Sequence, residues 1–297
     1  MFRGLSAFPL TPMNESGIDE TGFVHLVERL VLAGVDSICA LGSTGSYAYL
    51  TLAERRRVAQ LAIEHAPGVP VMIGIGALRT RDVLALAEHA QEAGATGVLL
   101  APVSYQKLTD DEVFGLYETV ARSLSIPLCV YDTPGTTHFE FSDQLHGRIA
   151  QLPHVGSIKI PGVPLDAEAA SERVQRLRAL IPSHVTIGVS GDRFAAAGLN
   201  AGCEAWYSVI GGLFPKAALA ITRAAQVGNA GEATRLSEHL EPLWAMFSQH
   251  GSLRVVAAAA ELRGLASSPS LPLPLKALAG PARVQLGDLL EQLGLAE

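Results

Sequence analysis

The four lysines are the most informative reactive side chains of this 297-residue chain, because one of them lies in an apolar run. They stand at positions 107, 159, 216 and 276, and Lys159 belongs to the run 155–160. An ammonium ion in such a run loses hydration, which favours the neutral amine that attacks carbonyl carbons. Lys159 is therefore a candidate Schiff-base nucleophile. The alternative is a structural lysine paired with a carboxylate, although no acidic residue lies within six positions of it.

Hydroxyl groups at the ends of two other apolar runs could act together with this amine. Tyr131 ends the run 127–131, and its phenol could transfer protons. The turn Ser43-Thr44-Gly45 follows the run 37–41, and its backbone N–H groups could hold a carboxylate. Such turns are also common for purely geometric reasons, and a buried tyrosine is often a core residue whose hydroxyl bonds to the backbone.

Short apolar runs alternate with longer amphipathic segments along most of the chain. Helical patterns are seen at 52–65, 81–93, 110–124, 165–180 and 215–227, and candidate strands at 4–8, 37–41, 69–75, 97–101, 127–131, 155–160, 186–190 and 205–209. This alternation predicts an α/β protein with a parallel sheet. Eight units over roughly 225 residues favour a closed (β/α)8 TIM barrel over an open doubly wound sheet.

A C-terminal helical extension is predicted after the barrel. We expect a catalytic barrel domain at 1–228 and an extension at 229–297, with helical patterns at about 231–249, 251–264 and 284–293. Active sites of TIM barrels lie where strands end and loops begin. Because side chains alternate along a strand, Tyr131 and Lys159 can both point into the barrel.

Composition and charge exclude several classes of function. The net charge is −7 without long runs of like charge, so we expect neither nucleic acid nor a membrane as a partner. No apolar span has transmembrane length and no signal-peptide pattern opens the chain, which predicts a cytoplasmic protein. The nine histidines are scattered, without HxxxH or Cys-x-x-Cys spacing. We therefore expect no metal site and no cofactor.

Several short motifs occur in a characteristic order: Phe8-Pro9-Leu10-Thr11-Pro12, Gly42-Ser43-Thr44-Gly45, Tyr131-x-x-Pro134-Gly135, Ser157-Ile158-Lys159, Ser190-Gly191-Asp192 and the stretch 208–215. Together they cover nearly the whole chain, and they resemble the dihydrodipicolinate synthase and N-acetylneuraminate lyase family of pyruvate-dependent class I aldolases. The resemblance implies a (β/α)8 barrel that forms a homo-oligomer, a tetramer or a dimer. It also implies that a lysine forms an imine with pyruvate or another 2-oxo acid.

The same resemblance implies roles for individual residues. Lys159 would be the nucleophile, Tyr131 the proton shuttle and Thr44 a member of the proton relay. The expected substrate-binding residues are Ser43, Thr44, Gly45, Tyr105, Thr136, Gly191 and Ile210.

Three positions depart from the family pattern. The glutamate that commonly follows Gly-x-Thr-Gly is Ser46, and the arginine that follows Tyr-x-x-Pro-Gly in dihydrodipicolinate synthases is Thr136. Losing a guanidinium removes the bidentate partner of a second carboxylate, which disfavours condensation with aspartate semialdehyde. Many relatives also have adjacent tyrosines near position 105, one of which reaches a neighbouring subunit's relay. Either Tyr105 or Ser104 occupies that place here.

These observations predict a Schiff-base lyase or aldolase that cleaves or forms a 4-hydroxy-2-oxo acid, with pyruvate and an aldehyde as partners. A dehydratase of a deoxy-oxo sugar acid is the alternative on the same scaffold, because the imine also acidifies the neighbouring C–H bond and can expel hydroxide. A non-catalytic 2-oxo acid binding protein is a further alternative. The departures at Ser46, Thr136 and Ser104 motivate it, whereas the presence of Lys159 and Tyr131 argues against it.

Overall fold

The computed structural model describes residues 2–295, and within them eight parallel strands close into a barrel. Each strand pairs with the next one along the chain, and the last pairs with the first. The strands, β1 to β8, are Gly4–Ala7, Ser37–Ala40, Val71–Gly74, Gly97–Leu100, Leu128–Tyr131, Val155–Ile160, Thr186–Ser190 and Ala205–Ser208. The predicted (β/α)8 barrel is confirmed, and each predicted strand is present.

Helices α1 to α8 surround the barrel, and local sequence signals define several of their ends. They are Glu20–Ala33, Leu52–Glu64, Thr80–Glu92, Asp110–Ala121, Asp143–Ala150, Ala167–Arg178, Ala195–Asn200 and Pro215–Gln226. Capping boxes begin α2 and α4, where Thr51 pairs with Glu54 and Thr109 with Glu112. Helices α1, α5 and α7 were not among the expected helical segments. Helix α7 is only six residues long and consists mainly of alanine and glycine, so it has little periodic signal.

Up to residue 295, four further helices, α9 to α12, follow the barrel at Ala230–His239, Glu241–His250, Ser252–Leu262 and Gly280–Gln292. The expectation of one helix over 231–249 is wrong, because the first helix ends before Leu240 and a new helix begins at Glu241. Pro242 in its first turn lacks an N–H group and could not continue the preceding helix. A separate C-terminal unit at 229–297 stays a prediction.

Two apolar layers support the site. The larger layer lies between the strands and the helices, and the smaller one fills the barrel with side chains that include Phe8, Cys39, Met72, Cys129 and Tyr207. Because the eight barrel strands are parallel, their carboxyl ends meet at one rim of the barrel. Within the described residues, no helix has both the length and the apolar character needed to cross a membrane.

Candidate active site

Lys159 points into the barrel from β6 and is 4% exposed. Its Nζ lies 3.9 Å from the ring centre of Phe8 and 4.0 Å from that of Tyr131. The neighbouring strands pair Tyr131 directly with Lys159, and the N–H of Asp132 donates to the carbonyl of Lys159 at 3.0 Å. The amine and the phenol proposed from the sequence are therefore brought together. Among the described residues Lys159 forms no ion pair with a carboxylate.

Tyr131 connects this amine to the turn after β2. Its hydroxyl lies 3.3 Å from the Ser43 hydroxyl, within hydrogen-bonding distance. Burial raises the pKa of Tyr131, but the nearby Lys159 charge and hydrogen bonds from Ser43, Thr133 and Lys159 outweigh it, so the net pKa lies below its usual value. A phenol with a lowered pKa gives up its proton more readily near neutral pH, as a proton shuttle requires.

The turn after β2 has a strained backbone and free polar groups. Leu41 and Ser46 flank it with positive φ angles of 60° and 52°, a conformation that non-glycine residues adopt at a cost and that is common at functional sites. The backbone N–H groups of Thr44 and Gly45 and the Thr44 hydroxyl make no hydrogen bond within residues 2–295. This turn can therefore donate several hydrogen bonds to a bound carboxylate.

Gly45 has a packing role in the same turn. A Cβ atom there would lie 3.0 Å from the backbone nitrogen of Leu41, so the backbone would have to shift by a few tenths of an ångström to accept a side chain. Ser46, at the end of this turn, is 3% exposed, and its hydroxyl has no hydrogen-bond partner in the described part of the chain.

The loops after β7 and β8 are held together by a buried carboxylate. Asp192 accepts hydrogen bonds from Trp206 Nε1 at 3.0 Å, from Val209 N at 3.1 Å and from Ile210 N at 2.7 Å. Burial raises the pKa of Asp192, and these hydrogen bonds offset part of that effect. The Ile210 N–H therefore donates to Asp192 and is not available to a substrate. Gly191, with φ of 78°, is exposed at the end of β7.

Two of the expected binding residues lie towards solvent. The Thr136 hydroxyl is 2.8 Å from that of Thr133, in the one-turn helix that follows β5. Tyr105 is 90% exposed and makes no hydrogen bond or ring contact with another described residue. Tyr105 therefore does not complete the site of its own chain.

Sequence reasoning assigned no role to two side chains that the structure brings to the site. Phe8, from the end of β1, packs its ring against the Lys159 nitrogen. Arg55, on α2, donates to the carbonyls of Gly74 and Gly76 at 2.9 and 2.8 Å and so holds the end of β3. Phe8 ends a strand within a quoted motif, so its position was a usable signal, whereas the contacts of Arg55 depend on the fold.

A buried acidic and basic pair lies directly behind the reactive side chains. His146 Nε2, on α5, is 3.5 Å from Asp132 Oδ2, and the His146 ring stacks on Phe141 at 4.8 Å. Burial raises the pKa of Asp132 to about 7, against which the Arg173 charge acts, and burial lowers the pKa of His146 to about 4. Both groups can therefore be uncharged over much of the acidic range.

The site combines an amine, a phenol and a carboxylate-binding turn, which together suit imine chemistry on a 2-oxo acid. Among the described residues, no group of three histidine, cysteine or acidic side chains is arranged to hold a metal ion.

Known proteins with similar sequences and structures share one description. A profile described as the dihydrodipicolinate synthetase family matches residues 1–293. A 4-hydroxy-tetrahydrodipicolinate synthase of Gluconacetobacter diazotrophicus is 30% identical over 99% of this chain and 98% of its own.

Solved structures agree with this description. A crystal structure named dihydrodipicolinate synthase from Agrobacterium tumefaciens has a TM-score of 0.94 and 45% identity, covering 98% of each chain. A prophage protein of E. coli K12, described as belonging to the dihydrodipicolinic acid synthase family and solved in complex with pyruvate, has a TM-score of 0.90 and 27% identity, covering 99% of each chain.

Proposed function

Because the chain belongs to the dihydrodipicolinate synthetase family, we propose that it is a Schiff-base-forming lyase that cleaves or forms a 4-hydroxy-2-oxo acid with pyruvate as one partner. The main support is the Lys159 amine, which is buried against the Tyr131 ring and has no carboxylate partner among the described residues. A solved relative that was crystallised with pyruvate supports the choice of keto acid.

In the proposed reaction, the Lys159 amine attacks the 2-oxo carbon and a C–N bond forms. The carbonyl oxygen then takes one proton from the nitrogen and one from solvent and leaves as water, giving an iminium ion. In the cleavage direction, Tyr131 takes the proton of the 4-hydroxyl group, the bond between C3 and C4 breaks, and its electron pair moves towards the iminium nitrogen. The aldehyde leaves and an enamine remains. The enamine then takes a proton at C3, and water hydrolyses the iminium to release pyruvate and the free amine.

The remaining groups bind and orient the substrate in this proposal. The N–H groups of Thr44 and Gly45 with the Ser43 hydroxyl hold the carboxylate of the keto acid. Thr136 offers a hydroxyl where a cation would be needed for a second carboxylate, so a hydroxylated, uncharged aldehyde suits the site better.

Trapping the imine tests the nucleophile. Incubation with pyruvate and borohydride is expected to add the mass of the reduced adduct to the peptide that contains Lys159, and Lys159→Ala is expected to prevent it. Lys276→Ala is the matched control, because Lys276 is exposed and lies outside the site. Modification at any other lysine would contradict the mechanism.

Turnover tests the reaction class. Incubation with a panel of 4-hydroxy-2-oxo acids is expected to yield pyruvate plus an aldehyde. Loss of water with the carbon chain retained would identify a dehydratase, and imine formation without any product would identify a binding protein.

We also propose that the chain forms a homo-oligomer in which Tyr105 enters the site of a neighbouring subunit. The 90% exposure of this large aromatic side chain supports the proposal. Sedimentation would measure the assembly, and mixing two weakly active variants would test the exchange of side chains. A Lys159→Ala subunit supplies Tyr105 and a Tyr105→Phe subunit supplies Lys159, so a reassociated mixture is expected to regain activity. Mixtures no more active than their components would contradict a shared site.

A further inference from the structure

Aromatic rings enclose the Lys159 nitrogen in place of a counter-ion. The ring centres of Phe8, Tyr131 and Tyr207 lie 3.9, 4.0 and 5.7 Å from Nζ, all within the range of a cation–π interaction. A buried cation usually has a carboxylate partner, yet no described carboxylate pairs with Lys159. The negative faces of these rings therefore stabilise a positive nitrogen here, together with the Tyr131 hydroxyl, which interacts with Lys159 directly.

Phe8 is held rigidly in this position. It is 2% exposed, and its N–H donates to the carbonyl of Ser208 at 3.0 Å, which fixes its backbone to β8. A Cβ atom at Gly42 would lie 2.5 Å from Phe8 Cδ1, so the glycine leaves the space that the ring fills. The ring also meets Tyr207 edge to face, with centres 6.0 Å apart at 80°.

Tyr207 is fixed from the opposite side. Its hydroxyl lies 2.6 Å from that of Ser157 and accepts from the Cys129 thiol at 3.4 Å. A Cβ atom at Gly188 would overlap the Tyr207 ring, so this glycine reserves the space beneath it. The rings of Phe8 and Tyr207 thus form a preorganised wall beside the nitrogen.

We propose that Phe8 is a cation-stabilising residue of the reaction, whose ring face keeps the imine nitrogen protonated. This inference rests on the proposed function. Imine formation converts the ammonium and the keto group into an iminium ion and water: a C–N bond forms, the C–O bond breaks, and two protons from the nitrogen leave with the oxygen. The ammonium and the iminium carry the same charge, so the ring stabilises both. What it shifts is the balance between the iminium and the neutral imine, and only the iminium withdraws electrons strongly.

The other titratable groups near this nitrogen do not replace Phe8. They are Cys39 from β2, Cys129 and Tyr131 from β5, and Tyr207 from β8. Burial raises the pKa of Cys129 to about 11 and that of Cys39 and Tyr207 further, so these three are neutral at working pH. Tyr131, whose pKa is lowered, is already used as the proton shuttle.

The test replaces Phe8 by mono-, di- and trifluorophenylalanine, which change the ring's size little but withdraw electron density from its face. The readout is exchange of the pyruvate methyl protons for deuterium, followed by NMR across a range of pH. This exchange requires the iminium but no aldehyde. We expect the rate to fall with each fluorine and its alkaline limb to move to lower pH. Phe8→Leu is expected to lower exchange about fivefold to thirtyfold on the alkaline side, the size of a desolvated cation–π contact.

The same fluorinated residues at Phe23 are the matched control, because Phe23 is equally buried but lies on α1. Exchange that is unchanged along the Phe8 series would show that the ring only fills space, and would overturn the inference. Borohydride trapping of the unsubstituted protein separates the two proposals. If Lys159 is not trapped, the proposed function is wrong. If Lys159 is trapped and the exchange rate is the same across the fluorinated Phe8 variants, only the role of Phe8 is wrong.

Discussion

Replacing Asp132 by asparagine is expected to stabilise the protein at alkaline pH. Asp132 is 5% exposed, and burial raises its pKa from 3.8 to about 7. The groups that face it are His146 and Arg173, with Glu140 and Asp143 repelling its negative charge. Above pH 7 the folded protein must therefore hold a poorly compensated buried charge, which asparagine, of nearly the same shape, does not carry.

The direction in which stability changes with pH follows from the number of protons that the folded and the unfolded chain bind. Below pH 3.8 the carboxyl group is protonated in both the folded and the unfolded chain, and it contributes no pH-dependent term. Between pH 3.8 and about 7 only the unfolded chain ionises, so stability falls as pH rises. A difference of about 3 pKa units corresponds to roughly 4 kcal/mol, lost in full above pH 7, and local relaxation will reduce it.

Urea unfolding at fixed protein concentration measures this effect at pH 5 and pH 8. Asp132→Asn is expected to be more stable than the parent at pH 8, with a gain about 2–3 kcal/mol larger than at pH 5. Asp288→Asn is the control, because Asp288 is exposed and its replacement should change stability little at either pH. A loss of stability at pH 8, or a gain that is the same at both values, would refute the reasoning.

Three further substitutions test the site and its support. Tyr131→Phe is expected to lower turnover about 10²- to 10⁴-fold while pyruvate is still trapped by borohydride, since only proton transfer is lost; loss of trapping as well would contradict this role. Thr136→Arg is expected to raise kcat/KM for carboxylate-bearing aldehydes about tenfold relative to uncharged ones, because it restores a bidentate partner; an unchanged ratio in a substrate panel would count against it. Arg55→Met is expected to cost about 2–3 kcal/mol in urea unfolding, because it leaves the buried carbonyls of Gly74 and Gly76 without a donor.

The barrel was predictable because its signal is local and repeated. Each buried strand, such as β6, is a short apolar run, and each long helix, such as α2 with its capping box at Thr51 and Glu54, shows its periodicity and its start. Helix α7 was not predicted, because four of its six residues are alanine or glycine and so short a segment shows no clear periodicity. The interruption of the helix at Leu240 was not predicted. A proline such as Pro242 occurs in the first turn of a helix as well as just after its end, so it does not by itself mark where one helix stops and the next begins.

The candidate site was partly predictable for a different reason. Lys159 and Tyr131 stand out because polar groups are rare at the ends of apolar strands, and strand alternation alone allows them to meet. The pairing of Asp132 with His146 could not be read in this way, since it joins a strand end to a helix 14 positions later through tertiary packing. The role of Phe8 is hidden because an aromatic residue in an apolar run normally indicates only a core.

The packing beneath Lys159 determines how molecules travel to and from the site. The layer of side chains below the amine is almost completely buried, and in it the Tyr207 hydroxyl is hydrogen-bonded to Cys129 and Ser157. These side chains fill the barrel at that depth and close it to solvent. Every reactant must therefore enter and leave through the same opening, at the carboxyl-end rim of the barrel. A keto acid bound to Lys159 occupies the closed inner end of the site. Its partner aldehyde therefore binds after it, between the keto acid and the rim. A compound wedged among the rim loops would therefore shut out both reactants at once.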